Sequence, residues 1–441
     1  MLQPKPHVTE SIRSVHMLTR IVFTILEKAR PVLVKLLPIK LLRSVKKQMV
    51  ESAVSSTSLE LLPFLPDVYP QGVNLVGYIQ GEIGLGQSCR LVAQGLQATG
   101  LDFVIYNYQQ VSAMRFKDNS WTHKITSTTP YNINILHINP YEMPLAFMRM
   151  GRQLWDKRYN IAFWLWELEN FPPEWENAFS LVDEIWTPSE FVSQSIRKAT
   201  TKPVKTIPYA LAMPECGGYT REHFGLPNDK TLFLCMYDCN STMERKNPMG
   251  VIRTFKQAFS GDDNGVGLVI KVNNPQKQDL QLLKAELEGY PNTWLIPEVL
   301  DKAEVNALIA SADVFVSLHR AEGFGLVMAE AMLLGTPVIT TNWSSNTEFM
   351  NSNVACMVDY NLITIQQDYG QYKAGNRWAD PNIKQAADFM KKLNASEAFR
   401  AELAAKAKAH IQEHLSPDKA AVLIKDRITE IYATSRGKEN V

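Results

Sequence analysis

The sequence predicts an α/β protein of two Rossmann-like domains facing a central cleft, with an N-terminal basic helical arm. Three observations carry this reading. From residue 72 onward, short apolar runs alternate with longer stretches of helical periodicity, the pattern of parallel sheets. That alternation is interrupted at 212–230, where Pro214, Gly217, Gly218, Gly225 and Pro227 read as a hinge. The 441 residues are enough for two or three domains, at roughly 150 residues each.

Residues 1–50 hold ten basic side chains and two acidic ones, Glu10 and Glu27, whereas the remainder holds 36 and 43. Within 11–50, apolar groups recur at helix-like intervals among Lys and Arg, and Pro31 and Pro38 divide them into short helices. Two readings stand for this arm: it lies on an anionic membrane surface, or it packs on the protein's own body. Ser and Pro clusters make 51–70 a linker. The expected domains are then 1–70 (arm and linker), 71–211, 212–415 and a C-terminal helix in 416–441. Strands are expected at 73–79, 103–108, 133–139, 161–166, 184–187 and 205–208 in the first half. In the second half they are expected at 232–237, 268–272, 294–296, 314–318, 338–341 and 356–358. Helices fit at 86–99, 173–181 and 189–200, then at 247–259, 276–288, 302–311, 326–334, 383–394, 396–414 and 416–434.

Composition narrows the classes. A formal charge of +1 gives no case for a nucleic-acid partner. The 45% hydrophobic and 21% charged residues are those of an ordered globular chain rather than a disordered one. Five scattered cysteines, with no CxxC pair and no zinc-type spacing, read as reduced thiols, so no metal is expected. The polar start shows no signal peptide, and no apolar stretch is long enough to span a bilayer. The expected location is the cytoplasm, peripheral to the inner face of the plasma membrane if the arm binds lipid.

In open parallel sheets, ligands sit at the carboxyl ends of strands, so loops following strands carry the chemistry. Gly81-Glu82-Ile83-Gly84-Leu85-Gly86 follows the first strand and precedes a helix. Its glycines permit close backbone approach to a phosphate at a helix N-terminus, and they serve equally as a plain strand-to-helix turn. The order GxxGxG, with no acid ending the next strand, is not the dinucleotide fingerprint, which disfavours a dehydrogenase. The second loop is Glu322-Gly323-Phe324-Gly325-Leu326, leading into a helix that carries Glu330. Backbone amides at a helix N-terminus suit a diphosphate, and two carboxylates suit sugar hydroxyls. Arg245-Lys246 follows a strand, where two cations can neutralise a leaving diphosphate or simply be solvated. His137 and Asn139 end another strand, and the pattern admits both a cleft-facing and a core histidine. Alternation places Trp164 and Trp166 on one strand face, where core packing is favoured over sugar stacking.

Glu322 and Glu330 form E-x7-E inside EGFGLVMAEAMLLGTPVI. This segment resembles the hallmark of the glycosyl transferases group 1 family, retaining enzymes of the GT-B fold. WELENFPPEWENAFSLVDEIWTPSEF at 166–191, ERKNP at 244–248, LVIKVNN at 268–274, SLHRAEGFG at 317–325 and PVITTNWSSNTEFM at 337–350 resemble a bacterial branch active in surface-polysaccharide assembly. The similarity spans about residues 72–435. It implies a hexosyltransferase that moves a sugar, with mannose favoured, from a nucleotide-diphosphate donor to a hydroxyl of a saccharide or lipid-linked acceptor. Glu322 would contact the donor sugar and Glu330 the ribose. Lys246 with Arg245 would face the diphosphate, along with the turn Gly323-Phe324-Gly325-Leu326. Gly84 and Gly86 would close over the donor, and the backbone near Glu298 and Val299 would meet the base. His137 or Asn139 would serve the reacting sugar. No cofactor or metal is expected, in agreement with the absence of any Asp-x-Asp. Three departures stand out: Tyr237-Asp238 where many relatives have Gly-Arg, Asn139 where some relatives place the functional histidine, and Ser344-Ser345 where this branch often has Ser-Gly, which would stiffen that loop. The same fold also serves a sugar-nucleotide epimerase or a non-catalytic sugar-nucleotide-binding protein, and both stay as alternatives.

Overall fold

Six short apolar runs in each half assemble into one sheet apiece. The computed structural model describes residues 61–109 and 115–436; the arm at 11–50 and the linker up to residue 60 lie outside the described residues. The first sheet contains β1 (Val73–Gly77), β2 (Phe103–Asn107), β3 (Ile133–His137), β4 (Tyr159–Phe163), β5 (Glu184–Thr187) and β6 (Val204–Thr206). Its order is β2-β1-β3-β4-β5-β6, all parallel. The second contains β7 (Thr231–Asp238), β8 (Val266–Asn273), β9 (Thr293–Ile296), β10 (Val314–Ser317), β11 (Val338–Thr341) and β12 (Cys356–Val358). Its order is β12-β11-β10-β7-β8-β9, also all parallel. Both are doubly wound sheets, and the pair forms the GT-B architecture.

Strand order reverses between β1 and β3 in the first sheet and between β7 and β10 in the second. A crevice opens at such switch points because the flanking connections leave to opposite faces. The loops after these four strands are those carrying Gly84, Asn139, Lys246 and Glu322. The fold thus brings the four chemically interesting loops to two facing crevices.

Register in the first sheet is pinned by a buried polar ladder. Asn74, Asn134 and Asn160 lie opposite one another on β1, β3 and β4. The Asn74 amide donates to Asn134 Oδ1 (2.9 Å), and the Asn134 amide donates to Asn160 Oδ1 (2.8 Å). A one-residue slip would strand these groups in an apolar interior, which costs several hydrogen bonds at once.

Helices cover both faces. In the first half these include α1 (Gly84–Thr99), α2 (Met143–Met150) and α3 (Glu190–Arg197). The second half has α4 (Met243–Lys246), α5 (Pro248–Ala258), α6 (Lys277–Glu286), α7 (Lys302–Ser311), α8 (Leu326–Leu334), α9 (Ile383–Ala395) and α10 (Glu397–His414). The final helix, α11 (Pro417–Arg436), returns to pack on α1 of the first half. Gly95 permits that approach, since a Cβ there would stand 2.9 Å from Ile424 Cδ1. No helix among the described residues is long and apolar enough to cross a membrane.

Three elements differ from the sequence expectation. Residues 173–181 form a 3₁₀ helix, Pro173–Leu181, rather than an α-helix. Its buried Trp175, Ala178 and Leu181 recur every three residues, which a 3₁₀ helix stacks on one side. Helix α2 is absent from the expected helices; its Pro144 falls in the first turn, where no amide donor is needed. An antiparallel hairpin, β13 (Tyr360–Thr364) with β14 (Arg377–Pro381), follows β12. Its largely exposed β13 and twelve-residue connection give no alternating pattern or tight-turn signal to read.

Helix α11 is anchored by charge as well as packing. Glu184 is fully buried, and its carboxylate accepts from Arg427, Tyr159 and Trp186. Removing one partner of a buried ion pair leaves an uncompensated charge. Arg427→Met is therefore expected to lower unfolding free energy by about 3 kcal/mol, and adding Glu184→Gln should recover part of that loss. Chemical denaturation of the three proteins checks this.

Candidate active site

The two crevices merge into one cleft of about 610 Å³, walled by both halves. From the first half, Gly84, Leu85, Ser88, Asn139 and Trp166 reach it; from the second, Met236, Asp238, Lys246, Glu322 and the turn at 323–326.

That turn is built by glycine. Gly325 stands at φ +91°, and a Cβ on it would lie 2.5 Å from Met328 Cε. A Cβ at Gly323 would come within 3.1 Å of the Trp166 carbonyl oxygen in the other half. Gly325 caps α8 with no side-chain partner, and the first turn of α8 holds no acid. The helix therefore presents its dipole and backbone amides to the cleft, a ready anion site. The Phe324 side chain turns inward against Tyr209 and Phe349 (ring centroids 4.6 and 5.0 Å), which holds the turn in place.

Glu322 precedes the turn and is fixed on all sides. Its amide donates to Ser344 Oγ (2.9 Å), and its carbonyl accepts from Ser345 Oγ (2.8 Å). Ser344 adopts φ +72°, ψ −155°, a region that strains any residue with a Cβ, by about 1–3 kcal/mol. The serine pair thus does more than stiffen the loop: its hydroxyls clamp the backbone of Glu322. The Glu322 carboxylate accepts from Lys246 Nζ at 2.5 Å, and Arg245 Nη1 lies 3.3 Å away. Burial pushes this carboxyl's pKa up, but Lys246, then Arg245 and His319, outweigh it and hold the value down at about 2.

Arg245 and Lys246 sit together on the short helix α4 but do different things. The Arg245 guanidinium is nearly buried and donates to Ala321 O (2.7 Å) and Ser241 O (3.3 Å). It also faces Glu167 of the first half (3.8 Å) and the ring of Tyr372 (5.5 Å). Lys246 is more open to the cleft and pairs with Glu322.

Other expected residues stand elsewhere. Glu330 is buried on α8 and accepts from Lys302 Nζ of α7 (2.7 Å); it does not line the cleft. Val299 is exposed outside the cleft. Gly84 faces the cleft with open space around it, whereas Gly86 packs beneath the turn, where a Cβ would meet Gly81 O at 2.0 Å. His137 does not reach the cleft either. It is fully buried, stacked on Phe163 (5.1 Å), with Nε2 2.7 Å from Ser88 Oγ. The strand ends at His137, so the chain turns and delivers Asn139 to the cleft instead. Trp164 is core. Trp166 is also buried, yet its ring forms part of the cleft wall.

Sequence reasoning missed Ser88, Tyr209 and Tyr372. Ser88 lies one turn into α1, and only its distance from the glycine loop could have marked it. Tyr372 comes from the unexpected hairpin, which carries it across to stack on Trp166 (5.6 Å, 21°). Arg377 of the same hairpin pairs with Glu169 (3.0 Å). Among the described residues, no group of His, Cys, Asp and Glu is arranged to hold a metal ion.

Burial lowers the pKa of His137 from an ordinary 6.5 to about 4. The folded protein therefore keeps it neutral where the unfolded chain takes up a proton. Stability is complete above pH 6.5 and falls as pH drops toward 4, because the unfolded state binds more protons. The loss is on the order of 3 kcal/mol. His137→Gln should flatten the slope between pH 6.5 and 4 in urea unfolding; Glu322, titrating near 2, should contribute only below about pH 4.5.

Comparison with known proteins bears on the sequence family and on the fold. Residues 220–410 match the family described as "Glycosyl transferases group 1". An O-antigen biosynthesis glycosyltransferase of Escherichia coli, WclY, is 30% identical over 122 residues. That match covers 28% of this chain and 31% of the relative, so it spans under a third of that protein. Among solved structures, HepE of Anabaena with UDP and glucose superposes with a TM-score of 0.57 at 11% identity, covering 83% of this chain and all of that one. Sucrose-phosphate synthase of Thermosynechococcus elongatus gives 0.59 at 14% identity, covering 83% and 100%. These two share the fold. The matched residues 220–410 hold the E-x7-E segment, Glu322 to Glu330, so in this part the chain is similar to the glycosyl transferases group 1 family.

Proposed function

We propose that the protein is a retaining, metal-independent hexosyltransferase. It moves a sugar from a nucleotide-diphosphate donor to a hydroxyl of a saccharide or lipid-linked acceptor in surface-polysaccharide or glycolipid synthesis. The observation that carries this reading is the Glu322–Leu326 turn. There a fixed carboxylate stands beside an uncapped helix N-terminus, with Lys246 between the two halves of the cleft. Amides and Lys246 suit the diphosphate, and Glu322 suits the hydroxyls of the sugar. An acceptor hydroxyl attacks from the face the leaving phosphate occupies, and that phosphate takes the proton. The protein's share is positioning and charge stabilisation. The family match and the O-antigen relative support the surface-polysaccharide setting, and HepE holds UDP and glucose within the same fold.

On this reading Glu330 meets the ribose once Lys302 is displaced from it, and the backbone around Val299 meets the base. Asn139 stands nearest among the first-half candidates to serve the acceptor or the reacting sugar, with His137 behind the wall. Mannose on GDP is the favoured donor. A sugar-nucleotide epimerase remains the second reading, and product analysis without acceptor separates the two. We place the protein in the cytoplasm, held at the inner membrane face by residues 11–50.

Screening UDP-, GDP-, dTDP- and ADP-sugars by thermal shift, then by slow hydrolysis, tests the donor. A ligand at 100 times its dissociation constant should add about 2.7 kcal/mol. Glu322→Ala should abolish transfer with the fold intact; an undiminished rate refutes the assignment. Deleting residues 1–50, which carry ten basic and two acidic side chains, should weaken flotation with anionic vesicles in a salt-sensitive way. Unchanged flotation refutes the membrane role.

A further inference from the structure

Behind the glycine loop lies a three-residue hydrogen-bond chain that the transferase reading does not use. Ser88 Oγ is 2.7 Å from His137 Nε2 and 2.5 Å from Tyr209 Oη. All three residues are buried, and Ser88 and Tyr209 line the cleft. The direction of each bond follows from counting donors. Tyr209 stays protonated, since burial raises its pKa, and its hydroxyl has Ser88 as its hydrogen-bond partner. If it did not donate there, a buried O–H would be orphaned, at a cost of about 1–3 kcal/mol.

The same count fixes His137. The ring is neutral and carries one N–H. Its Nδ1 has only the backbone of its own residue beside it, in a geometry too bent for a full hydrogen bond, whereas Nε2 has Ser88. A buried N–H without a partner is costlier than a buried lone pair without one. The proton therefore sits on Nε2 and points at Ser88. Both lone pairs of Ser88 Oγ are then filled by incoming donors. Its own O–H has neither His137 nor Tyr209 to donate to, and the cleft is what it faces. Two incoming bonds also polarise that O–H and strengthen it as a donor.

The surroundings of this hydroxyl are rich in donors. Ile83 caps α1 with no side-chain hydrogen bond, and the first turn of α1 holds no acid. The uncapped start of α8 adjoins it through Tyr209, whose ring meets Phe324 at 4.6 Å. Two helix N-termini and an unspent O–H converge where an anionic oxygen would satisfy all of them.

We propose that Ser88 contacts the ligand directly, donating to a phosphate oxygen of a bound nucleoside diphosphate, with His137 and Tyr209 as positioning residues that aim it. This deepens the donor assignment and rests on it. The test has two arms. In nitrogen-15 NMR of the full chain, the His137 ring, assigned by its loss in His137→Gln, should show a protonated Nε2. A protonated Nδ1 overturns the proposal, because Ser88 would then spend its proton on His137. In calorimetry with UDP and with GDP, Ser88→Ala should weaken whichever binds by about 10- to 100-fold, the worth of a hydrogen bond to a charged group. Tyr209→Phe should weaken wild-type binding but leave Ser88→Ala unaffected further, a coupling that a merely structural tyrosine would not give. Wild-type binding unchanged by Ser88→Ala overturns this assignment alone. No binding of either diphosphate by the wild type, nor of dTDP or ADP in the same experiment, overturns the nucleotide reading of the cleft and this assignment with it.

Discussion

The cleft depends on one constraint, the passage of a side-chain-free backbone at Gly323 against the Trp166 carbonyl of the other half. A Cβ there would sit 3.1 Å from that oxygen. Because the two halves meet at this point, their other contacts gather around it. The single hydroxyl proton of Ser189 in the first half is shared between Gly323 O (3.0 Å) and Ser345 Oγ (2.9 Å). Glu348 accepts from the amides of Glu190 and Phe191 at the start of α3 (both 2.8 Å), so a residue of the second half caps a helix of the first. The hairpin β13–β14 adds Tyr372 on Trp166 and Arg377 on Glu169. The turn at 323–326 is thus held from both sides, and the strain at Ser344 beside it persists because so many bonds oppose its release.

Much of this was legible in the sequence, and what was not has physical causes. The sheets could be read because buried parallel strands are near-continuous apolar runs, as in VNLVG and INILH. The turn at Glu322 could be read because two glycines flanking an aromatic before a helix have few structural uses. His137 shows the limit. A strand alternates its side chains, but where it ends decides which residue reaches the loop, and strand ends are set by tertiary contacts. A single residue, Ile138, separates a core imidazole from the cleft-lining Asn139. The hairpin could not be read at all, since β13 lies largely on the surface and the buried residues of the hairpin, such as Tyr372 and Trp378, lie in its connection and in β14. Ser88 needed the third dimension, because its partners His137 and Tyr209 lie 49 and 121 residues away.

The two cations beside Glu322 are not equivalent, and that decides how an anion can enter. Arg245 spends its guanidinium on two backbone carbonyls, with Glu322 and Glu167 around it, and its planar fork cannot turn without breaking several bonds together. Lys246 is a point charge on a flexible stem with Glu322 as its ion-pair partner. On the proposed reading a diphosphate is met by Lys246, while Arg245 stays to compensate the carboxylates. When Lys246 turns to the phosphate, Glu322 loses its nearest cation inside a buried site and keeps only Arg245, at 3.3 Å; a buried carboxylate short of partners is disfavoured. Sugar hydroxyls repay that loss by donating to it. A nucleoside diphosphate without its sugar gains the lysine but leaves the glutamate short. On the proposed reading, the same ion pair that closes the empty site makes it select the intact donor over its diphosphate product, and so favours release once the sugar has moved.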